Sequence, residues 1–563
     1  MALTFTSASG TAPWVLRAEQ APALRGGPSA ATGRTPPAAS SSDPSVLAAA
    51  TGAFAAAAAT AAATTARRRQ RRCGQGRRAG AVGMRAAEAS TLPQVDRDTT
   101  KDFRRKLQRS DQYFKFGKTQ MESAMEELRN VSGSDLVTKL RTNGFRLTVG
   151  DVTFVLAESY GFCWGVERAV AMAYEARNFF PDKNIWVTNE IIHNPLVNEN
   201  LTQMGMKFVE AMPDGSKDYS GVSKGDVVIL PAFGASIDEM AFLKERDVQI
   251  VDTTCPWVSK VWTSVEKSKD KGHTSIIHGK IEHEETVATK SFAKKYLVLK
   301  NMDEAEWVAQ YILGNGTREE FMDKFGGVMS EGFDPDVDLE KVGVANQTTM
   351  LKGETELVGK LFERVMIKKY GPQEIDNHFV SFNTICDATQ ERQDAMYKMF
   401  GAEYEAPGSA LYTDLEGEQA GITLKSTKNQ EKLSSKSMED EIRGAAEASS
   451  DDAPQRVDLC MVVGGFNSSN TKQLLEIANQ ENVPGYHIDC AERMGRKGSA
   501  NSIEFKPVST APADAMMDKG LEVKEGFLPE GKVTVGLTSG ASTPDSVLGE
   551  VMKKILEIKG ESV

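Results

Sequence analysis

The clearest pattern along this chain is an alternation of short apolar runs with longer amphipathic segments, from about residue 151 to residue 545. The apolar runs are strand-sized and rich in β-branched residues, so they predict buried strands. Buried strands that alternate with helices are typical of parallel α/β units. The predicted strands are VTFVLA, DVVILPAF, VQIVDT, TSIIHG, KYLVLK, KVGVANQ, DLCMVVGG, GYHIDC and VTVGLTSG.

Several segments depart from this alternation. Residues 91–150 predict a mainly helical lead-in, and residues 303–340 predict a mostly helical insertion. Residues 401–455 are rich in Glu, Asp, Ser, Lys and Gly, so they cannot bury enough apolar surface to order themselves. We expect them to form a disordered acidic surface insertion. Residues 546–563 predict a C-terminal helix and tail.

The first 90 residues have a different composition, rich in Ala, Ser, Thr, Gly and Pro. Before Glu88 the acids are Glu19 and Asp43, and an arginine block reads ARRRQRRCGQGRR. This composition is typical of a transit peptide. The competing interpretation is a membrane or signal segment in the Ala-rich run 47–66, but Thr and Gly interrupt that run. We expect residues 1–90 to be a disordered targeting segment, and the mature protein to have no stable membrane insertion.

Bulk composition narrows the class of protein further. A chain of 563 residues is too long for one ordinary core, so two or more domains are expected. The formal net charge of −11 argues against nucleic acid as a partner. Six cysteines without a C-x-x-C pair indicate a reducing compartment, and exclude a disulfide scaffold, a thioredoxin motif and a zinc ribbon.

Three isolated cysteines occupy the same place in three separate units. Cys163, Cys255 and Cys386 each lie in a turn between an apolar strand and an amphipathic helix. A helix N-terminus favours a thiolate, and parallel sheets bind ligands at the carboxyl ends of their strands. These cysteines can therefore converge on one centre.

Two kinds of metal centre fit three converging thiolates. They could hold zinc together with a histidine, or an iron–sulfur cluster in which one iron lacks a protein thiolate and is open to a substrate oxygen. Gly161 and Gly165 flank Cys163 and would allow a bulky cluster to approach the backbone. Cys460 and Cys490 are expected to be ordinary buried cysteines.

Polar residues at other strand ends indicate an anion site. Ser468, Ser469 and Asn470 lie between a strand and a helix, and Ser542 lies in an equivalent turn. Such groups at helix N-termini bind phosphate, although ordinary capping explains each turn taken alone. A P-loop and a G-x-G-x-x-G fingerprint are both absent from the sequence, so a nucleotide is not indicated.

Two histidines, a glutamate and a threonine follow predicted strands. His193 lies in NEIIHNP, and His283 with Glu285 lies in HGKIEHEET. A His/Glu pair can supply both a cation for phosphate and a proton donor. Thr348, in ANQTTM, could orient that acid or a substrate hydroxyl.

Taken together, these segments resemble one family, the LytB-type 4-hydroxy-3-methylbut-2-enyl diphosphate reductases, the terminal enzymes of the non-mevalonate (MEP) isoprenoid pathway. The lead-in and the 303–340 insertion resemble the plant and cyanobacterial branch. The matching stretches, in one order, are AESYGFCWGVERAV, NEIIHNP, LPAFGAS, VDTTCPWVSKVW, HGKIEHEET, GVANQTTMLKGET, FNTICDATQERQDA, VVGGFNSSNT and LTSGASTPD.

The resemblance implies a trefoil of three similar α/β domains around a central [4Fe-4S] cluster with one open iron. We place these domains at residues 151–254, 255–385 and 386–545. Matched residue by residue, the family's cluster ligands correspond to Cys163, Cys255 and Cys386. Its proton donor corresponds to Glu285, and its substrate-facing threonine corresponds to Thr348. Its diphosphate and substrate contacts correspond to His193, His283, Ser468, Asn470 and Ser542, with Ser469 adjacent. One departure is Phe233, where the bacterial pattern has a histidine. Phenylalanine cannot donate a hydrogen bond, so the contacts to the diphosphate must differ.

The implied activity is the reductive dehydroxylation of 4-hydroxy-3-methylbut-2-enyl diphosphate to isopentenyl and dimethylallyl diphosphates. The implied partner is a ferredoxin-type electron donor in the plastid (chloroplast) stroma, and the protein would be a monomer or a homodimer. Two rival hypotheses are a zinc hydrolase or structural zinc protein that uses the three cysteines, and a non-catalytic binding protein that kept the fold.

Overall fold

The computed structural model describes residues 92–114, 118–212, 216–382, 384–402, 456–508 and 520–561. The chain divides into two compact units, Met1–Arg85 and Ala86–Val563, and every described residue belongs to the second. The predicted targeting segment, and all but the first two residues of the predicted insertion 401–455, lie outside the described residues. No helix in the described part is long and apolar enough to cross a membrane.

Three mainly parallel sheets form the body of the described chain. In spatial order, the first sheet consists of Lys207–Phe208 (β4), Ile185–Val187 (β3), Val227–Leu230 (β7) and Gln249–Asp252 (β8). The second consists of Tyr296–Leu299 (β10), Thr274–His278 (β9), Val342–Asn346 (β11) and Phe379–Ser381 (β12). The third consists of Arg146–Val149 (β1), Val152–Leu156 (β2), Val533–Ser539 (β17), Leu459–Val463 (β13) and Gly485–Ile488 (β14).

Within the three sheets, the antiparallel pair is β1 with β2; the other neighbours are parallel. Two short antiparallel ribbons lie outside these sheets. They pair Glu210–Ala211 (β5) with Lys217–Asp218 (β6), and Ser502–Phe505 (β15) with Glu522–Glu525 (β16).

Helices precede, connect and cover the strands. Those up to the end of the first sheet are Thr100–Gln108 (α1), Lys118–Ser132 (α2), Asp135–Thr142 (α3), Trp164–Phe179 (α4), Pro195–Gln203 (α5) and Ile237–Glu245 (α6). Those up to the end of the second sheet are Pro256–Asp270 (α7), Glu284–Lys290 (α8), Met302–Ile312 (α9), Arg318–Phe325 (α10), Pro335–Asp338 (α11), Lys352–Tyr370 (α12) and Ile375–His378 (α13). The last are Asp387–Phe400 (α14), Ser469–Gln480 (α15) and Asp545–Lys559 (α16), and the 3₁₀ turns are Arg97–Thr99 and Ala491–Arg493.

Both faces of the sheets are buried, which explains the continuous apolar runs in the sequence. In β7, Val227 and Ile229 belong to one apolar cluster, and Val228 and Leu230 belong to another on the opposite face. All positions of β9, β11, β13 and β17 are buried in the same way. The carboxyl ends of these strands are left free to carry polar turns.

The structure has the predicted α/β class and contains the nine predicted strands, and helices occur in both 91–150 and 303–340. One difference concerns the strand that follows residue 151. The predicted boundaries group this strand with residues 151–254, but β2 pairs with β17 in the third sheet. An apolar run predicts a strand but not the strand that pairs with it. Here the partner lies nearly 400 positions away in the sequence, and local pattern does not encode that pairing.

Candidate cysteine centre and adjoining polar pocket

Each of the three cysteines follows a strand of a different sheet and caps the helix after it. Cys163 follows β2 and precedes α4, Cys255 follows β8 and precedes α7, and Cys386 follows β12 and precedes α14. All three have extended backbone angles, as N-cap residues do. The predicted strand–cysteine–helix placement is therefore present in the structure.

The three cysteine turns are attached in the same way to the loop after a neighbouring strand. In each case the cysteine N–H donates to a backbone carbonyl of that loop. The bonds are Cys163 N to Ala541 O at 3.1 Å, Cys255 N to Ala232 O at 3.0 Å and Cys386 N to Thr348 O at 3.3 Å. This repeated backbone hydrogen bond fixes the position of each cysteine relative to its own sheet.

The sulfurs lie in one neighbourhood. A Cβ added to Gly165 would be 2.6 Å from Cys255 Sγ and 4.0 Å from Cys163 Sγ, so a glycine is required at this contact. Gly161 has another reason to be glycine: its φ is +72° and an added Cβ would meet Asp545. Only the second of the two flanking glycines therefore opens the cysteine centre.

Burial opposes ionisation of the Cys255 and Cys386 thiols. Burial, together with the charge of Cys163, raises the pKa of Cys255 to about 11 and that of Cys386 to about 12. The buried guanidinium of Arg392 lies beside Cys163 and Cys386, and its Nε has no hydrogen-bond partner among the described residues. One positive charge does not offset several thiolates, and a bound cationic group would favour the thiolate form.

The three sulfurs are not packed as tightly as the donors of a single tetrahedral metal ion. In a tetrahedral zinc site, sulfurs bonded at about 2.3 Å lie roughly 3.8 Å apart. Among the described residues, the one set of three donors whose atoms all lie within 4.8 Å of one another is His193, His283 and Glu284. At least two of the three cysteine sulfurs therefore lie more than 4.8 Å apart.

Glu285 and Thr348 form a buried pair beside this centre. Thr348 donates to Glu285 through its backbone N–H, at 2.7 Å from Oε1, and through its Oγ1, at 2.9 Å from Oε2. Burial raises the pKa of Glu285 to about 7, although both bonds from Thr348 act to lower it. Thr348 O also accepts the backbone N–H of Cys386 at 3.3 Å, so the pair adjoins the cysteine centre. The charge of Glu285 contributes to the raised pKa of Cys255.

His193, His283 and Glu284 lie close together beside Glu285, and this group of side chains is called the polar pocket. His193 Nδ1 donates to Glu190 Oε2 at 2.9 Å, and its Nε2 lies 3.5 Å from Glu284 Oε2. Burial favours the neutral ring, but both carboxylates outweigh it and raise the pKa of His193 to about 9. Phe233 stacks on the His193 ring with centroids 4.2 Å apart.

The neighbouring His283 and Glu284 have opposite charge states. Burial and the charge of His193 lower the pKa of His283 to about 3. Glu284 is partly buried, which favours its neutral form, yet the hydrogen bond and charge of His193 lower its pKa to about 2. His193 is therefore the cation of this group, His283 is neutral, and Glu284 is an anion.

The polar turns before α15 and α16 meet both the histidines and the cysteine centre. Ser542 Oγ donates to His193 O at 3.2 Å, and Asn470 Oδ1 accepts from Ala541 N at 3.0 Å. Asn470 Nδ2 lies 3.5 Å from Thr389 Oγ1, which is 3.0 Å from Cys386 Sγ. Asn470 and Ser542 thus lie between the histidines and the sulfurs.

Both remaining serines, in the turn before α15, are buried. Ser468 is the N-cap of α15 and accepts from Thr471 N, as ordinary capping predicts. Ser469 contacts the Lys280 ammonium at 3.4 Å. All the predicted site residues therefore lie around one connected region.

Sequence reasoning missed five residues of this region: Glu190, Lys280, Glu284, Thr389 and Arg392. All five lie inside motifs already quoted, and Lys280 and Glu284 are within three residues of His283. A signal was available for Lys280, because a lysine directly after a buried strand points to a strand-end site. Arg392 carried no signal, since an arginine within an amphipathic helix is normally exposed.

Comparison with known proteins agrees with this picture. The LytB protein family profile matches residues 154–406 and 438–556. The 4-hydroxy-3-methylbut-2-enyl diphosphate reductase of Gloeothece citriformis is 50% identical over 460 residues, which is 82% of this chain and 98% of that protein. The Synechocystis protein of the same name is 53% identical over 426 residues, 76% of this chain and 95% of that protein.

A solved structure is also similar, at a greater distance. The E-1-hydroxy-2-methyl-but-2-enyl-4-diphosphate reductase of Plasmodium falciparum has a TM-score of 0.45 and 20% identity, and covers 72% of this chain and 88% of that one. The family match spans more than half of the chain, and the cyanobacterial relatives are matched over nearly their whole length. The chain therefore belongs to the LytB protein family.

Proposed function

We propose that this chain reduces 4-hydroxy-3-methylbut-2-enyl diphosphate to isopentenyl and dimethylallyl diphosphates, the last step of the non-mevalonate isoprenoid pathway. The relatives at about half identity carry that reductase name. The observation that carries the proposal is the Glu285–Thr348 pair beside the three cysteines. Loss of a hydroxyl as water consumes two electrons and two protons, so a proton donor must lie next to an electron source.

Cys163, Cys255 and Cys386 would hold a [4Fe-4S] cluster with one iron free of a protein thiolate. The spread of the sulfurs and the glycine at residue 165 support this assignment. When bound, the cluster supplies single electrons and a Lewis-acidic iron. The other parts of the reaction use the chain's own residues.

The diphosphate would be held between the histidines and the α15 turn. Protonated His193 supplies a cation, and His283 supplies a neutral ring nitrogen. Hydroxyl and amide groups come from Ser468, Ser469, Asn470 and Ser542. Fixing the diphosphate here orients the allylic carbon that bears the hydroxyl toward the cysteine centre.

Glu285 is the proton donor in this account. With a pKa of about 7, a substantial fraction of its carboxyl is protonated near neutral pH. Glu285 gives its proton to the departing hydroxyl oxygen, which leaves as water. The allyl group that remains takes two electrons and one further proton, and protonation at either end gives the two products.

The proposal extends to architecture and setting. Each of the three sheets supplies one cysteine, which supports a trefoil of three α/β domains, with the strand Val152–Leu156 assigned to the third domain. The transit-like composition of residues 1–90 and the cyanobacterial relatives support the plastid stroma and a ferredoxin-type donor. Imaging of residues 1–90 fused to a fluorescent protein tests the location, and cytosolic fluorescence would contradict it.

An anaerobic assay tests the function. The protein, reconstituted with iron and sulfide, is given reduced viologen and 4-hydroxy-3-methylbut-2-enyl diphosphate, and the products are identified by mass. Both five-carbon diphosphates are expected. A protein with visible cluster absorption but without turnover would contradict the substrate, and stoichiometric zinc without that absorption would favour the zinc hypothesis.

A further inference from the structure

Lys280 lies at the edge of the polar pocket and has no role in the account above. It follows β9 in the turn that leads to His283, and its Nζ is 3.4 Å from Ser469 Oγ. Its backbone N–H donates to Gln347 Oε1 at 3.2 Å, which fixes the turn. Gly279 permits this close approach, because an added Cβ would be 3.0 Å from Gln347 Cβ.

The ammonium of Lys280 is a half-buried cation that pairs with no carboxylate of the described chain. It forms no ion pair with any carboxylate in the described part of the chain, and the contact with Ser469 is to a neutral hydroxyl. Burial and the charge of Lys472 lower the pKa of Lys280 to about 8, against the opposing charges of Glu476 and Glu282. A partly desolvated ammonium in this state is stabilised by an anion placed against it.

The charges around the histidines show why such a cation is needed. His193 is the one cation of the histidine group, but Glu190 and Glu284 both lie against it, and His283 is neutral. Phe233 covers one face of His193 and cannot donate a hydrogen bond. The histidine side therefore has no surplus positive charge, whereas a diphosphate carries several negative charges near neutral pH.

We propose that the Lys280 ammonium is a ligand of the substrate's diphosphate, acting together with Ser469 at the N-terminus of α15. This inference rests on the proposed function, since it assigns an additional contact at the same site. Lys280 is a binding residue in this account, and it takes no part in the proton or electron steps.

The test compares three variants of the reconstituted enzyme: Lys280→Met, Lys280→Arg and Lys290→Met. Lys290 is a matched control, because it is also half-buried and its Nζ contacts the Tyr296 ring, 5.9 Å from the centroid, rather than the pocket. Two quantities are measured for each, the steady-state constants with the substrate and the Kd of inorganic diphosphate by calorimetry. Cluster absorption checks that each variant is folded and loaded.

Losing a charge-assisted hydrogen bond weakens binding by roughly tenfold or more. Lys280→Met is expected to raise both KM and the diphosphate Kd by at least that factor, while kcat stays within about threefold of the unmodified value. Lys280→Arg should recover most of the lost binding. Lys290→Met should have the same constants as the unmodified chain. Unchanged KM and Kd in Lys280→Met would overturn the proposal. Loss of the cluster with an unchanged Kd would also overturn it, since that outcome reveals a structural role.

The diphosphate titration remains decisive even if the unmodified chain fails to turn over this substrate. Such a failure would contradict the proposed function separately.

Discussion

Glu285 shows how opposing forces set one residue's chemistry. The side chain is 2% exposed, and burial favours the neutral acid. Two hydrogen bonds from Thr348 favour the carboxylate and keep the pKa near 7. A carboxyl balanced in this way can both give and regain a proton at neutral pH, as an acid catalyst must.

Replacing Glu285 by Gln is expected to abolish most of the turnover while leaving the cluster intact. The amide has nearly the same shape but no acidic proton, so kcat should fall by roughly 10²–10⁴-fold. Turnover and cluster absorption are measured together. Glu282→Gln is the control, because Glu282 is exposed in the same turn and should retain full activity. Full activity in Glu285→Gln would exclude the acid role.

Removing the Thr348 hydroxyl is expected to shift the pH profile of kcat. The bond from Oγ1 lowers the pKa of Glu285, so its loss in Thr348→Val raises that pKa. The acid then stays protonated to higher pH, and the alkaline fall of kcat should move upward by about one pH unit. Thr348→Ser keeps the hydroxyl and should keep the original profile; a downward shift in Thr348→Val would contradict the assignment.

At the level of single residues, local sequence pattern predicted only part of the site. The cysteines, Glu285 and Thr348 follow strands and lie in recognisable motifs, so they could be named in advance. The contacts of Lys280 with Ser469 and of Arg392 with Gly161 could not be predicted, because they join residues far apart in the sequence. Such contacts follow from the assembled sheets and leave no periodicity in the chain.

At the level of elements, three strand–turn–helix units present their cysteines to one centre. The helix Trp164–Phe179 depends on Gly165, which contacts the sulfur of Cys255 from another sheet. A helix interior normally favours alanine over glycine, so this glycine is kept for space rather than for helix stability. The contact therefore couples two of the three units.

Gly165→Ala is expected to impair cluster retention. The new Cβ would be 2.6 Å from Cys255 Sγ, so the sulfur or the helix must move. Such overpacking costs about 1–3 kcal/mol, which corresponds to roughly 5–150-fold weaker retention of the cluster. Iron per chain after desalting measures the effect. Gly327→Ala, which would meet no atom within 4 Å, is the control; equal iron content in the two variants would refute the steric argument.

The elements themselves were largely predictable, and their partners were not. Continuous apolar runs identified the nine strands because both faces of each sheet are covered. The pairing of Val152–Leu156 with Val533–Ser539 joins the start of the body to its end, across a sequence separation that no local rule resolves.

At the level of the whole described body, the pairing of Val152–Leu156 with Val533–Ser539 builds the third sheet from strands near both ends of the sequence. Val533–Ser539 lies at the centre of the third sheet, between Val152–Leu156 and Leu459–Val463, and all seven of its residues are buried. The last helix, Asp545–Lys559, contributes buried residues to the same core. The final part of the described chain is therefore needed to complete the sheet that carries Cys163.

Deleting residues 532–563 is expected to prevent cooperative folding, although it removes none of the three cysteines. The loss uncovers one edge of each neighbouring strand and the core beneath them. Thermal unfolding followed by circular dichroism tests this. Deleting only residues 562–563, beyond the last helix, should leave the transition unchanged. A cooperative transition at the original temperature in the larger deletion would contradict the assigned role of this strand.

The most direct test of the central claim is the electron count of the reaction. In an anaerobic single-batch experiment, the reconstituted chain consumes a known amount of reduced viologen, and the five-carbon diphosphates formed are quantified. The account predicts two electrons for each molecule of product, with product formation lost in Glu285→Gln. Electron consumption without either product, in a protein whose cluster is intact, would contradict it.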